Sequence, residues 1–383
     1  MQIKKEALIG YSVLALFVAG AFVLEFVFQT REGALLTPDV IESSTDVDDQ
    51  ARIADKWNRY PVARKIVQPA GFINTQDGEP IAIESLIGKK VILLDIWTYS
   101  CINCLRTLPY LTAWHEAYED QGLQIIGIHT PEFDFEKEID NVQRAVEAGG
   151  IKYPVVLDND RGTWNAYQNN YWPRKYLIDI DGFIVYDHIG EGGYDETEAK
   201  IQELLWERAA VLDIDVELLA ATPMNVEELD LKNPRTPEVY LGAWRNSTLG
   251  NGEPLTEGNF EFVIPGTLNG DTPYLGGSWE IVQEFARNTQ ISARLVLPYR
   301  ASKVFLVMAP GEKPVRARVL LDGQPIAEED ADQDVVFSDG DPYILIDEDI
   351  MYRIVETASG WGEHTLELIF DEVDLEVYAF TFG

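Results

Sequence analysis

Two cysteines separated by two residues are the side chains of this chain best suited to covalent chemistry. Cys101 and Cys104 are the only cysteines among 383 residues, and they lie within WTYSCINCLRTLP (97–109). A pair at this spacing can alternate between dithiol and disulfide, because one sulfur attacks a disulfide bond and the other then displaces it from the mixed product. The spacing therefore points to thiol–disulfide exchange.

The sequence around the cysteines predicts the strand and the helix that hold them. The apolar run VILLDIW (91–97) has the composition of a buried strand, and LRTLPYLTAWHEAYEDQG (105–122) has apolar residues at helical spacing. Cys101 should then lie at the strand-to-helix junction, on the first turn of the helix. Unpaired amide N–H groups and the positive end of the helix dipole favour a thiolate there. Cys104, one turn further on, is placed to attack a mixed disulfide formed at Cys101.

Two structural roles for the cysteine pair are weaker alternatives. A disulfide that closes so short a loop constrains the unfolded chain little and contributes about 2 kcal/mol on the chain-entropy model. A structural zinc site needs about four ligands, whereas this chain has one cysteine pair and four scattered histidines. Redox chemistry is the favoured interpretation, and no metal site and no cofactor are predicted.

The segment LDIWTYSCINC (94–104) resembles the signature of the thioredoxin superfamily. Asp95 stands where thioredoxins carry a buried aspartate, Trp97 where they carry a tryptophan, and Pro109 where their active-site helix is kinked. The resemblance implies a thioredoxin-like α/β fold with a redox-active cysteine pair.

Two positions depart from the usual thioredoxin pattern. Ile102–Asn103 replaces Gly-Pro between the cysteines, and Ser100 stands where most members have an aromatic residue. Residues at these positions influence the redox potential, so the potential of thioredoxins is not carried over to this chain.

Further motifs are similar to the extracytoplasmic part of DipZ-type proteins, which are TlpA- and ResA-like members of the superfamily. The motifs are WTYSCINC (97–104), HTPEF (129–133), YWP (171–173) and the terminal AFTFG (379–383), and the similarity extends over residues 61–383. It implies a thioredoxin-like domain followed by a carbohydrate-binding-module-like domain.

The YWP motif stands at the position of the cis-proline loop of thioredoxin-like folds. The resemblance implies that the Trp172–Pro173 peptide bond is cis and lies close to Cys101, where its backbone can pair with the main chain of a substrate. An ordinary trans turn is the alternative, since X–Pro bonds are cis in only about 5–6% of cases.

Two carboxylates are candidates for accepting the proton of Cys104. Asp95 lies within an apolar strand, where an unpaired charge is costly, so a raised pKa and a proton-transfer role are expected. Glu132, in HTPEF, matches by resemblance the buried acid of TlpA-like proteins. A hydrogen-bonding or capping role is the alternative for each carboxylate, and the sequence leaves the choice between the two open.

The first 60 residues predict a membrane anchor and a stalk. Leu8–Phe28 is an almost wholly apolar run of about 21 residues, long enough to cross a bilayer as one helix. Lys4 and Lys5 precede this run and acidic residues follow it, which places the N-terminus in the cytoplasm and the rest of the chain outside. Because the run continues beyond a normal signal peptide, an uncleaved transmembrane helix within residues 1–30 is favoured. Residues 31–60 are polar and acidic, which is typical of a stalk.

The remaining chain predicts two domains. Residues 61–212 alternate strand-like and helix-like segments, which indicates an α/β domain, and Asp77-Gly78 between short apolar runs predicts a hairpin within it. Residues 213–236 are a predicted connector. Residues 237–383 contain short β-rich runs separated by Gly, Pro and Asp turns, which predicts an all-β sandwich of the jelly-roll type.

The charge of the chain excludes one class of partner. Its 65 acidic and 30 basic residues give a net charge of −35, so the chain repels phosphates and nucleic acid is excluded as a partner. Acidic runs such as EEDADQD (328–334) are interpreted as solvated loops. This run lacks the spaced ligands and the central glycine of a calcium-binding loop.

The leading hypothesis is a membrane-anchored thiol–disulfide oxidoreductase on the extracytoplasmic, periplasmic side of the cytoplasmic membrane. Its substrates would be protein disulfides, and the resemblance favours their reduction. DipZ-type proteins often carry an electron-importing membrane domain, whereas this chain has a single predicted anchor, so a separate CcdA- or DsbD-like membrane protein is the predicted electron donor.

The alternative hypothesis is a surface carbohydrate- or partner-binding protein with a thioredoxin-like scaffold. In that case the β-sandwich would bind a glycan or a cell-envelope partner, since a fold alone does not define a function. The presence of both thiols in a chain with no other cysteine argues against this alternative.

Overall fold

The computed structural model describes residues 47–219, 233–338 and 341–383. The predicted membrane anchor, the first part of the predicted stalk and the middle of the predicted connector lie outside these residues. Within the described ranges, no helix is both long enough and apolar enough to cross a membrane. The chain forms two compact units: described residues 47–98, 107–132 and 137–219 belong to the first, and 99–106, 133–136, 233–338 and 341–383 to the second.

The first unit is built on a mixed sheet. Its six strands, within the described residues, are β1 (Gly71–Ile73), β2 (Val91–Trp97), β3 (Leu123–His129), β4 (Val155–Leu157), β5 (Arg174–Ile178) and β6 (Ile184–Ile189). They are ordered β1-β4-β3-β2-β5-β6 across the sheet. β2 runs parallel to β3 and antiparallel to β5. This arrangement is a thioredoxin-like fold, as the resemblance implied.

The central strand β2 has the composition that its position requires. All seven residues of VILLDIW are buried, as expected for a strand with neighbours on both edges and both faces covered. Alternate residues point to the same face of a strand, and Ile92, Leu94 and Ile96 join Ile126 and Ile128 of β3 in one core cluster. Asp95, the single charged residue of this strand, lies on the opposite face together with Leu93 and Trp97, and it is buried as well.

Five α-helices occur in the described part of the chain. They are α1 (Val47–Trp57), α2 (Ile102–Tyr118), α3 (Ile139–Ala148), α4 (Gly162–Ala166) and α5 (Tyr194–Leu212). Pro109 lies inside α2, where the resemblance placed it. A 3-10 turn, Asp134–Lys137, comes directly before α3.

The hairpin predicted at Asp77-Gly78 is wrong. Both residues have positive φ angles, 52° and 72°, and they lie in the 3-10 turn Gln76–Gly78. In this described stretch the next element is another 3-10 turn, Ile83–Ser85, instead of a strand. β1 pairs with β4 far along the chain. A turn does form at Asp77-Gly78, as the local sequence indicated, but the strand that hydrogen-bonds to β1 is the distant β4 and not the segment that follows the turn.

The described part of the predicted stalk is a helix that packs on the first unit. In α1, Lys56 is only 8% exposed, and its Nζ lies 2.6 Å from Asp179 Oδ2 and 2.8 Å from Asp181 Oδ2. With Glu207 these carboxylates form a cluster whose oxygens lie within 4.8 Å of one another, and the Lys56 ammonium neutralises part of its charge. Burial raises the pKa of Asp179 to about 6, against the opposing effect of Lys56. The described part of this segment is therefore helical and is attached to the first unit through Lys56.

The second unit is dominated by β-structure, which confirms the all-β prediction for the C-terminal region. Its thirteen strands, within the described residues, are β7 (Val239–Tyr240), β8 (Gly258–Phe262), β9 (Tyr274–Ile281), β10 (Ala286–Asn288), β11 (Arg294–Ala301), β12 (Lys303–Ala309), β13 (Val315–Leu321), β14 (Gln324–Pro325), β15 (Val335–Ser338), β16 (Asp341–Ile346), β17 (Ile350–Glu356), β18 (Gly362–Phe370) and β19 (Glu376–Phe382).

These strands form one continuous, antiparallel sheet around a single large core. Its main path is β15-β16-β13-β18-β11-β9-β10-β19-β12-β17, with β14 beside β13, β7 beside β19 and β8 beside β9. β13 shows the pattern that builds the core: Val315, Ala317 and Val319 are buried, while Arg316 and Arg318 between them are exposed. This period of two is what a sheet with one buried face requires.

Candidate active site

The two cysteines lie at the beginning of α2, in a segment that belongs to the second unit. The helix begins at Ile102, so Cys101 immediately precedes it, one position earlier than the sequence suggested. The Cys101 carbonyl accepts hydrogen bonds from the N–H groups of Cys104 and Leu105, each with an N···O distance of 3.0 Å. The two cysteines are not joined in a disulfide; Cys101 is half-buried and Cys104 is buried.

Because of this placement, the two sulfurs can take different roles in thiol–disulfide exchange. Cys101 sits where the first N–H groups of a 17-residue helix are unpaired within the helix and where its dipole is positive. It is also the more accessible thiol, so it can meet an external disulfide. Cys104, at 1% exposure, is suited to a later, intramolecular attack.

Asp95 occupies the middle of β2 in the first unit and is 1% exposed. In the sheet it is paired with Gly127 of β3 and with Lys175 of β5. Burial raises the pKa of Asp95 to about 7, while the Lys175 ammonium opposes that rise. A carboxyl group with such a pKa can exchange a proton at neutral pH, as the sequence analysis expected.

Lys175 is the partner of Asp95 within the first unit, and the sequence analysis missed it. It is completely buried, its Nζ donates a hydrogen bond of 3.2 Å to the Gly190 carbonyl, and the same nitrogen lies 5.6 Å from the centre of the Tyr194 ring. The lysine in RKYLI, directly after YWP, was visible in the sequence. Its pairing with Asp95 depends on the register between β2 and β5, which a local pattern does not specify.

Trp97 ends β2 and is fixed by close packing in the first unit. It is completely buried, and its ring meets the His129 ring edge to face at a centroid distance of 5.2 Å. A Cβ atom at Gly127 would lie 2.9 Å from Trp97 Nε1, so the tryptophan requires glycine at that position. Burial lowers the pKa of His129 to about 3, which keeps this imidazole neutral at physiological pH.

The Trp172–Pro173 peptide bond is cis, as the resemblance implied, and Pro173 directly precedes β5. The Trp172 indole N–H donates a hydrogen bond of 3.0 Å to the Thr130 carbonyl. Its ring lies 4.3 Å from that of Trp164, and the Arg161 guanidinium lies 5.1 Å from its centre. These contacts hold the loop before β5 in the first unit.

Glu132 is half-buried, whereas the resemblance implied a buried acid at this position. The fully buried carboxylate of this loop is Glu136, which the sequence analysis did not select. Glu136 Oε1 accepts hydrogen bonds from the Ser100 hydroxyl at 2.6 Å and from the Ser100 N–H at 3.4 Å. Its Oε2 accepts one from the Phe133 N–H at 3.0 Å. The second unit thus places a buried carboxylate beside the residue that precedes Cys101.

Aromatic side chains pack around the cysteine segment within the second unit. Phe133 and Phe135 each lie 4.9 Å from Tyr378 of β19, between ring centres. The Tyr99 hydroxyl donates a hydrogen bond of 3.1 Å to the Asp349 carbonyl. These contacts constrain the backbone immediately before Cys101.

Two family models match the chain. The model described as "Thioredoxin like C-terminal domain" matches residues 236–383. The AhpC/TSA family model matches residues 66–187, a range that includes both cysteines.

Individual relatives are similar to parts of the chain as well. Protein DipZ of Mycobacterium bovis is 38% identical over 238 residues, which are 62% of this chain and 34% of DipZ. The thiol-disulfide oxidoreductase ResA of Bacillus thuringiensis is 28% identical over 136 residues, which are 36% of this chain and 75% of ResA. A solved thiol-disulfide isomerase from Corynebacterium glutamicum is 23% identical with a TM-score of 0.35, over 39% of this chain and 97% of that one. The chain spans 34% of the length of DipZ.

The sheet of the first unit is thioredoxin-like, and the residues around the cysteine pair match the AhpC/TSA family. The chain is similar to DipZ and to ResA, as the motifs around the cysteines indicated.

Proposed function

We propose that this protein is a membrane-anchored, extracytoplasmic oxidoreductase that reduces disulfide bonds in other proteins. The observation that carries the proposal is the asymmetry of the CINC pair: Cys101 is half-buried at the start of α2, and Cys104 is buried one turn later. Reduction by a dithiol requires this order of access, because one sulfur must reach the substrate and the second must reach the first.

The proposed reaction proceeds in two exchanges. The Cys101 thiolate attacks a substrate disulfide; one substrate sulfur leaves as a thiolate and takes up a proton, and a mixed disulfide remains. Cys104 loses its proton and attacks the Cys101 sulfur, which releases the second substrate thiol and leaves a Cys101–Cys104 disulfide. Two electrons and two protons pass to the substrate. Asp95 and Glu132 are the candidate acceptors for the Cys104 proton, and a pKa of about 7 suits Asp95 to that role.

A continuous supply of electrons is required, because each turnover leaves the protein oxidised. The proposed donor is a CcdA- or DsbD-like membrane protein, and the proposed anchor within residues 1–30 would hold the cysteines near it. Lysines before the apolar run and acidic residues after it support an extracytoplasmic position, on the periplasmic side of the cytoplasmic membrane.

The strands of the second unit are proposed to form a two-layer jelly roll.

An insulin-reduction assay on the purified full-length protein in detergent tests the proposal. The reduced parent should precipitate insulin in the presence of a chemical reductant, and Cys101→Ser should not. Cys104→Ser should instead accumulate a mixed disulfide through Cys101, because its attacking sulfur remains. Equal rates in the parent and in Cys101→Ser would reject the oxidoreductase proposal.

A cleft in the second unit favours glycan binding as a second candidate function. Its volume is about 450 Å³ and its lining includes Asp271, Arg300, Asp322, Glu363 and His364. His364 Nδ1 lies 2.8 Å from Asp322 Oδ2, so the lining contains ordered polar groups of the kind that bind hydroxyl groups. Calorimetric titration of the parent with cell-envelope oligosaccharides, beside Arg300→Ala, tests this candidate. If none of these oligosaccharides gives a heat of binding, glycan binding is rejected as a function of this cleft.

A further inference from the structure

The cleft beside β11 and β18 contains a buried hydroxyl group that the protein itself does not use. Tyr299 lines this cleft, is 2% exposed and belongs to the core of the second unit. Within the described part of the chain, its hydroxyl neither donates nor accepts a hydrogen bond. Buried polar groups are normally paired, because an unpaired one has lost its hydrogen bonds to water. This hydroxyl is therefore a group that a ligand in the cleft can satisfy.

The hydroxyl of Tyr299 lies among the polar groups of the lining. Burial raises its pKa, and the carboxylates of Asp322 and Asp330 raise it further, so the group keeps its proton at neutral pH. Asp322 is itself part of the lining. Tyr299 is paired with His364 across the β11–β18 ladder, and their ring centres are 6.0 Å apart. A protonated tyrosine both donates and accepts hydrogen bonds, so it can pair with a hydroxyl group of a ligand.

The neighbouring polar side chains are already held in place. Asp322 Oδ2 lies 2.8 Å from His364 Nδ1, and Asp322 Oδ1 accepts a hydrogen bond of 2.8 Å from the Thr365 N–H. Asp271 forms an ion pair with Arg300. Groups that are fixed before a ligand arrives lose little conformational entropy when it binds.

The charge of the lining favours a cationic ligand. Its three carboxylates, Asp271, Asp322 and Glu363, stand against the single guanidinium of Arg300. A cleft lined by charge of one sign attracts ligands of the opposite sign. Asp271 and Asp322 already accept hydrogen bonds from protein groups, whereas Glu363 is exposed. Glu363 is therefore the carboxylate best placed to receive an ammonium group.

An organic cation suits the cleft better than a metal ion. Among the described residues, the one group of carboxylates close enough together to share a metal ion lies in the first unit, outside the cleft. A hard metal ion needs several oxygen ligands around one point, whereas the carboxylates of the cleft are spread along its wall. The volume of about 450 Å³ lies within the usual range of small-molecule sites.

We propose that this cleft binds a glycan unit that carries a free amine: its ammonium group pairs with Glu363, and a hydroxyl group of the sugar pairs with Tyr299. The ligand class is a hexosamine whose nitrogen is not acetylated. This inference rests on glycan binding, the second candidate function, and it does not involve the cysteines.

Calorimetric titration with two sugars that differ only at nitrogen tests the proposal. The probes are the β-1,4-linked disaccharide of glucosamine and the same disaccharide with both amines acetylated, titrated into the full-length protein in detergent. We expect the free amine to bind about tenfold more tightly. Raising the salt concentration from about 50 mM to about 500 mM should weaken binding of the free amine alone, because salt screens its charge.

Two variants test the assigned contacts. Glu363→Gln should weaken binding of the free amine about tenfold and leave binding of the acetylated disaccharide unchanged. Tyr299→Phe should weaken binding of both sugars without lowering the melting temperature, because its hydroxyl has no partner among the described residues. Glu312→Gln is the matched control: Glu312 is exposed and lies outside the lining, so the same loss of charge should leave both affinities unchanged.

Several outcomes would overturn the proposal. Equal affinities for the two disaccharides, or binding of another cell-envelope oligosaccharide but of neither disaccharide, would reject the amine and leave glycan binding in place. Equal affinity for N-α-acetyl-lysine amide would show that the cleft selects an amine without a sugar. If no sugar binds at all, the inference and the second candidate function fail together. Should Tyr299→Phe be insoluble, an unchanged affinity of Glu363→Gln for the free amine is enough to contradict the proposal.

Discussion

At the scale of single residues, Asp95 should make the stability of the protein depend on pH. Its folded-state pKa is raised from 3.8 to about 7 by burial. Between these values the folded protein keeps the proton and the unfolded chain loses it, so the free energy of unfolding falls as pH rises from about 4 to about 7. The stability that the protonated Asp95 carboxyl contributes is fully present below the pKa of this group in the unfolded chain, and it is lost above its pKa in the folded protein. A difference of about three pKa units corresponds to about 4 kcal/mol.

Comparison of the parent with Asp95→Asn isolates this contribution. Between pH 5 and pH 8, chemical denaturation should show the parent losing about 3 kcal/mol relative to the variant. Lys175→Met should shift the parent's transition to higher pH, because the ammonium opposes the raised pKa. Lys152→Met is the control: its side chain is 73% exposed, so this substitution should not change the pH of the transition. A constant difference between the parent and Asp95→Asn across this range would contradict the assignment.

At the scale of secondary-structure elements, the packing of β2 against β3 controls the position of Trp97. We predict that Gly127→Ala destabilises the protein by about 1–3 kcal/mol, the usual cost of overpacking a core. The reason is the distance of 2.9 Å between the added Cβ and Trp97 Nε1. Gly71→Ala on β1 is the control, since its Cβ would lie 3.4 Å from its nearest neighbour, an ordinary contact. Equal unfolding midpoints in urea for Gly127→Ala and Gly71→Ala would contradict the prediction, because Trp97 would then have moved to accommodate the added Cβ atom.

The elements that the sequence predicted well are those with strong local signals. β2 is bounded at Val91 and Trp97 as its apolar composition indicated. One failure has a non-local cause. The turn at Asp77-Gly78 does not form a hairpin because β1 pairs with β4.

The candidate site shows the same division between local and non-local information. Cys101 and Cys104 were identified from their spacing, and Asp95 from its place in an apolar strand. Lys175 was missed because its proximity to Asp95 depends on sheet register. Glu136 was missed because its hydrogen bond with Ser100 depends on a 3-10 turn that brings this carboxylate back to Ser100, which no local pattern specifies.

At the scale of the whole molecule, we predict that residues 237–383 fold alone as an all-β domain. The large core of the second unit is formed by buried residues that all lie between Val239 and Phe382, so this segment contains its own hydrophobic interior. Its circular-dichroism spectrum should be that of β-structure. Tyr378 would lose the aromatic partners Phe133 and Phe135, so the isolated segment should bind a hydrophobic dye more strongly than the full chain. A helical spectrum or insoluble protein would argue against independence.

The direction of electron flow also belongs to the whole molecule, because it depends on the donor, the anchor and the cysteines together. If the protein is a reductant fed from the membrane, the Cys101–Cys104 pair should be mostly dithiol in the cell. Acid quenching followed by a thiol-specific mass tag should add two tags to the parent and one to Cys104→Ser, which serves as the calibration. Loss of the membrane electron donor should convert the parent to the untagged disulfide, since each turnover consumes the dithiol. A pair that is mostly disulfide whether or not the donor is present would instead identify an oxidant, for which the raised pKa of Asp95 would assist proton transfer in the reverse direction.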